Sequence, residues 1–142
     1  MKTKATFILV LSLFLINVCL SQSYLDKTQK QIVQEIYAQG QSSYRIIEQN
    51  DKILIFLQDG KNIVQFSFAN GNCYEELWEN SESITNSTKK LMAMTGYQFD
   101  KVSDGRPNDF AEIFTKDNTK AMSGWILKDG VKHWFTSYRH IR

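Results

Sequence analysis

The chain has 142 residues, of which 42% are hydrophobic, with 17 basic and 15 acidic side chains. Lys2 and Lys4 alone supply the positive excess, so the charges balance from Gln22 onward. A balanced chain has little electrostatic attraction for a phosphate backbone, and we therefore expect no nucleic-acid partner.

The first 21 residues have the layout of a secretory signal. A basic start precedes an apolar run over 7–16, and Cys19-Leu20-Ser21 places small residues before a cleavage point at Gln22. The run is shorter than the roughly 20 residues of a membrane span. We therefore predict a signal peptide over 1–21 and a secreted or periplasmic location. Membrane attachment would require a lipidated Cys19 or a retained signal.

One domain is predicted over 22–142, beginning with a helix and a four-stranded meander. Asp26–Gln39 has apolar residues at helical spacing and ends at Gly40. Asn50-Asp51, Asp59-Gly60 and Asn70-Gly71 then separate β-rich runs, as tight hairpin turns do. With two residues in each turn, one face collects Tyr44, Ile46, Ile53, Ile55, Leu57, Val64, Phe66, Phe68, Cys73 and Leu77.

The same register raises a question about two neighbouring acids. Glu76 falls on the solvated face, whereas Glu75 points inward opposite Phe66. An inward carboxylate is costly unless it is paired, so we favour a β-bulge near Glu75 over a functional role for it.

A second helix over Ser83–Thr95 and three or four further strands complete the domain. Asp129-Gly130 predicts a hairpin in which Trp125 lies opposite Trp134 and Gly124 opposite Phe135. The fold class is therefore α+β, a mainly antiparallel sheet with two helices packed on one face. Two smaller stacked sheets are the alternative.

Catalytic and metal-binding patterns are weak along the chain. His133 and His140 are separated by an odd number of strand positions and fall on opposite faces, so we expect no metal and no cofactor. Removal of the signal leaves Cys73 as a lone thiol, which is more typical of a buried small hydrophobe than of a nucleophile. Glu75, Glu76 and Glu79 beside Tyr74 and Trp78 are the best case for a small cell-wall or glycan hydrolase.

The basic and aromatic end of the chain is the best candidate for binding. Two readings stay open: the tryptophans form an exposed platform for a protein, a glycan or an acidic peptide, or they pack under the helices. We therefore expect a non-enzymatic domain that recognises a protein partner, such as an inhibitor, an immunity-type protein or an envelope-complex component. A hydrolase and a lipid or small-ligand carrier are the alternatives. The candidate binding residues are Trp125, Lys132, Trp134, Tyr138, His140, Glu75 and Glu76.

Overall fold

The computed structural model describes residues 24–40, 43–103 and 108–141. The predicted signal segment and most of the loop over 103–109 lie outside these ranges. The described elements are, in chain order, α1 (Gln29–Gly40), β1 (Tyr44–Gln49), β2 (Ile53–Gln58), β3 (Asn62–Ala69), β4 (Asn72–Asn80), α2 (Glu82–Met94), β5 (Gln98–Val102), β6 (Asp109–Lys116), β7 (Thr119–Lys128) and β8 (Val131–His140).

All eight strands form one antiparallel sheet in the order β1-β2-β3-β4-β8-β7-β6-β5. Each half is a helix followed by a four-stranded meander, and the β4–β8 pair joins the two halves. Helix α1 packs on β2 and β3, and α2 packs on β6 to β8. The register places the side chains under both helices on the same face of the sheet. This confirms the predicted α+β class, with a single sheet instead of two stacked ones.

The predicted register is wrong across the first two turns. Asp59 and Gly60 do adopt positive φ in a tight turn, but the ladder resumes as Gln58–Asn62, one residue later than predicted. Because strand side chains alternate, this single extra residue reverses the face of one strand relative to the next. Leu54 and Phe56 therefore point at α1, whereas Ile53, Ile55, Leu57 and Leu77 lie on the opposite face, called the uncovered face because no described helix packs on it.

The third turn has two residues, as predicted, and pairs Phe68 with Cys73. A bulge at Ser67 follows, near the place where the sequence favoured one. Because of this bulge Glu76 lies opposite Phe66 and faces the helices, while Glu75 lies opposite Ser67 on the uncovered face. The predicted orientations of the two acids are therefore interchanged.

The last hairpin agrees with the sequence in every pair. Trp125 lies opposite Trp134 and Gly124 opposite Phe135, on either side of the turn at Asp129 and Gly130. Gly124 has a further role, because a Cβ atom there would lie 1.9 Å from the Phe110 carbonyl oxygen. Only glycine permits this close approach of β6 to β7.

Candidate functional site

Three aromatic side chains lie in a row on the helix-covered face, at the end of the sheet where α2 begins. The register places Trp134 of β8, Trp125 of β7 and Phe110 of β6 side by side. The Phe110 and Trp125 rings are stacked, with centroids 6.3 Å apart. Phe110 is 36% exposed and both tryptophans are half-buried. This set, the aromatic row, is neither core nor fully exposed.

Lys132 covers the aromatic row from the solvent side. Its Nζ lies 4.3 Å from the centroid of the Trp125 ring and 5.9 Å from that of Trp134. Such cation–π contacts contribute about 0.5–1 kcal/mol at exposed sites. Three of the seven predicted binding residues, Trp125, Lys132 and Trp134, are thus brought together.

A cavity of about 130 Å³ lies between the aromatic row and the first turns of α2. Phe110 and Trp134 form its apolar wall. The polar wall consists of Glu82, Thr85, Asn86, Lys89, Glu112 and Ser123. Apart from Trp134, none of these residues is among the predicted binding residues, because they lie on different elements of the chain.

The position of α2 over this cavity is set by short-range contacts. Ser81 is the N-cap, and its Oγ accepts a hydrogen bond from the Ile84 N–H at 3.2 Å. About two turns after the N-cap, Lys89 Nζ forms an ion pair with Glu112 Oε2 at 2.5 Å. Ser123 Oγ donates to the Thr85 carbonyl oxygen at 3.4 Å, which ties α2 to β7. These contacts hold the polar wall of the cavity in place.

Glu76 and Tyr138 are buried away from the aromatic row, beneath the two helices. They lie opposite each other on β4 and β8, and Glu76 is completely inaccessible to solvent. Burial raises the pKa of Glu76 well above its usual value, and the nearby Trp78 indole lowers it by a smaller amount. Among the described residues, neither carboxyl oxygen of Glu76 has a partner in hydrogen-bonding geometry. The buried environment therefore favours the protonated, neutral form of this carboxyl group.

The three acids of the proposed hydrolase cluster do not meet. Glu76 is on the helix face, whereas Glu75 and Glu79 are on the other face, four residues apart along β4. Glu79 accepts a hydrogen bond from the Ile63 N–H at 3.0 Å and lies 3.7 Å from Lys128 Nζ. These contacts tie β4 to β3 and to the end of β7, and the arrangement lacks the facing carboxylate pair of a glycosidase.

The remaining candidates lie elsewhere. His140 contacts Asp26 at 3.1 Å, near the opposite end of β8 from the aromatic row. Cys73 is buried and its pKa is raised to about 12, chiefly by burial, which suppresses the thiolate needed for nucleophilic attack. Within the described ranges, no three His, Cys, Asp or Glu side chains are grouped as metal ligands.

Comparison with protein-family models, curated proteins and solved structures finds no match to this chain. None of the described helices is long and apolar enough to cross a membrane.

Proposed function

We propose that this chain is a non-enzymatic binding domain that acts outside the cytoplasm and recognises a protein partner through the aromatic row and Lys132. The observation that carries the proposal is the row itself: three large aromatic side chains lie side by side and remain partly open to solvent. Tryptophan dominates binding hot spots because it buries a large area at low cost in side-chain entropy. Lys132 would form the polar edge of this contact.

The alternative functions have less support. A hydrolase needs carboxylates that face one substrate, and the sheet separates Glu76 from Glu75 and Glu79. A lipid carrier needs an open apolar space, whereas the Phe66 ring packs against Tyr24 and Phe56 at centroid distances of 5.3 and 6.2 Å beneath α1. These contacts favour a binding surface over a carrier cavity in the α1 half.

A photo-cross-linking residue at position 132 tests the proposal. It should capture a defined protein from the extracytoplasmic fraction, whereas the same residue at position 99 should not. Phe99 is a matched control, because it is 56% exposed and lies on β5 at the edge of the sheet.

The captured protein should then be purified for an affinity measurement by calorimetry. Trp125→Ala should weaken binding at least tenfold, which corresponds to about 1.4 kcal/mol, and Phe99→Ala should change it less than threefold. Equal effects of the two variants, or cross-linking at both positions, would refute the role of the aromatic row.

A further inference from the structure

The two helices cover the sheet with different chemistry. Helix α1 presents Ile32 and Ile36 to an apolar surface, whereas the buried residues of α2 are Thr85, Thr88 and Met92. Beneath α2 the sheet contributes the buried hydroxyls of Ser123 and Thr136. A polar interface of this kind adds little hydrophobic stabilisation, and departures from ordinary core packing are concentrated at functional sites.

Some of these hydroxyls have unused hydrogen-bonding capacity. Thr85 is 1% exposed and Thr136 is 2% exposed, and neither hydroxyl oxygen has a partner within the described part of the chain. Leaving such a group unsatisfied costs about 1–3 kcal/mol. Thr85 also lines the 130 Å³ cavity beside the aromatic row. The Thr85 side chain therefore borders an open space, although its hydroxyl oxygen exposes almost no surface to it.

The cavity supplies two kinds of contact. Trp134 and Phe110 offer apolar ring surfaces, and the opposite wall offers both donors and acceptors. The Asn86 amide is both a donor and an acceptor, and the Glu82 carboxylate is an acceptor. The C–H face of a sugar ring packs on aromatic rings, and its hydroxyls need donors and acceptors together.

We propose that this cavity binds a neutral saccharide ring, with Trp134 and Phe110 against its C–H face and Glu82 and Asn86 against its hydroxyls. This ligand goes beyond the proposed protein partner and does not depend on it. The volume equals about four waters at roughly 30 Å³ each, which suits most of one ring, and the open side leaves room for the rest.

Charge favours a neutral ligand. The lining contains two carboxylates, Glu82 and Glu112, against the single ammonium of Lys89, which already forms an ion pair with Glu112. An anion would therefore be repelled. A cation would match Glu82 but would leave the amide donor of Asn86 unused.

The test is a titration of the purified chain with glucose, galactose, mannose and N-acetylglucosamine, and with choline and sulfate as charged controls. Tryptophan fluorescence reports on Trp134 together with Trp78 and Trp125, and saturation-transfer NMR reports on the ligand independently. We expect saturable binding of at least one sugar at millimolar concentration. The double variant Glu82→Gln/Asn86→Ala should weaken it at least tenfold, or about 1.4 kcal/mol. Ser83→Ala, an exposed position on the same helix, should leave it unchanged.

Three results would overturn the proposal: no saturable signal from any sugar up to about 50 mM, unchanged affinity in the double variant, or tighter binding of choline or sulfate than of every sugar. Neither Glu82 nor Asn86 is altered in the test of the protein partner. The two proposals can therefore fail separately.

Discussion

The Glu76 carboxyl group is completely buried on the face of the sheet that the helices cover. Its cross-strand neighbours are Phe66 on β3 and Tyr138 on β8. Ionisation there would require a charge in a low-dielectric interior, so the folded protein holds the proton more tightly than the unfolded chain does. This difference in proton affinity links the stability of the fold to pH.

The sign of the link follows from the two states. Above the ordinary glutamate value of 4.5 the unfolded chain loses the proton that the folded chain retains, so the free energy of unfolding falls as pH rises. The loss amounts to at most about 1.4 kcal/mol per pH unit and ends above the folded-state pKa. The Glu76→Gln substitution removes this titration. The free energy of unfolding of the variant, relative to that of the wild type, should therefore increase with pH.

Urea unfolding at pH 4, 6 and 8 measures this effect. Glu75→Gln is the matched control, because that carboxylate lies on the uncovered face of the same strand and replacing it removes no buried group. A constant difference between Glu76→Gln and the wild type over this range would show that the Glu76 carboxyl is solvated in solution.

The interchanged orientations of Glu75 and Glu76 also show what can and cannot be predicted from sequence for single residues. The cost of an inward carboxylate predicts an irregularity near Glu75, and the bulge at Ser67 is that irregularity. Its exact position decides which acid is buried. The sequence near the turn does not specify that position, because a bulge elsewhere on β4 would leave the same turn at Asn70 and Gly71.

At the scale of elements, the two helices should differ in how much they stabilise the fold. Ile36 of α1 is 1% exposed and belongs to the apolar cluster, whereas Thr88 of α2 is 8% exposed and donates its hydroxyl to the Ile84 carbonyl oxygen of its own helix. Ile36→Ala should cost about 3 kcal/mol, because it leaves a cavity in a packed core. Thr88→Ala should cost less than about 1 kcal/mol, because alanine restores helix propensity.

Chemical denaturation of the two variants gives both values, and native-state hydrogen exchange should show α2 amides opening at lower free energy than α1 amides. Similar losses in the two variants would mean that the polar interface beneath α2 is as stabilising as the apolar one. A more easily opened α2 fits its position beside the ligand cavity.

Turn chemistry predicted the elements well and the pairing between them less well. Asn-Gly and Asp-Gly pairs located the reversals at Asn70 and Asp129 with the correct register, because both central residues accept positive φ. At Asp59 the same kind of residues form the predicted turn, but the two strands pair one residue away from the predicted register. The two edge strands, β1 and β5, also carry bulges, which hinder pairing with another sheet.

At the scale of the whole molecule, the helix-then-meander order of each half could be predicted from the sequence, but not the joint between the halves. The β4–β8 pair joins strands separated by α2 and three further strands. No turn specifies such a contact. The aromatic row was partly predicted from the last hairpin, whereas its cavity needs α2 placed over β6 and β7.

The proposed extracytoplasmic location also gives a prediction for the whole chain. Intact-mass spectrometry of the exported protein should show a chain that begins at Gln22, because the small residues before it match the cleavage pattern. A full-length mass would instead indicate a retained signal, and a lipid adduct on Cys19 would indicate a membrane anchor.

Strand β8 lies in the interior of the sheet, paired with both β4 and β7, although it is the last of the described strands in sequence order. During synthesis, β4 therefore waits with an open edge until α2 and β5 to β7 have left the ribosome. An unpaired strand of a nascent chain invites pairing with other chains. Premature termination before β8 would leave a first half able to pack around α1, yet exposed to aggregation along β4.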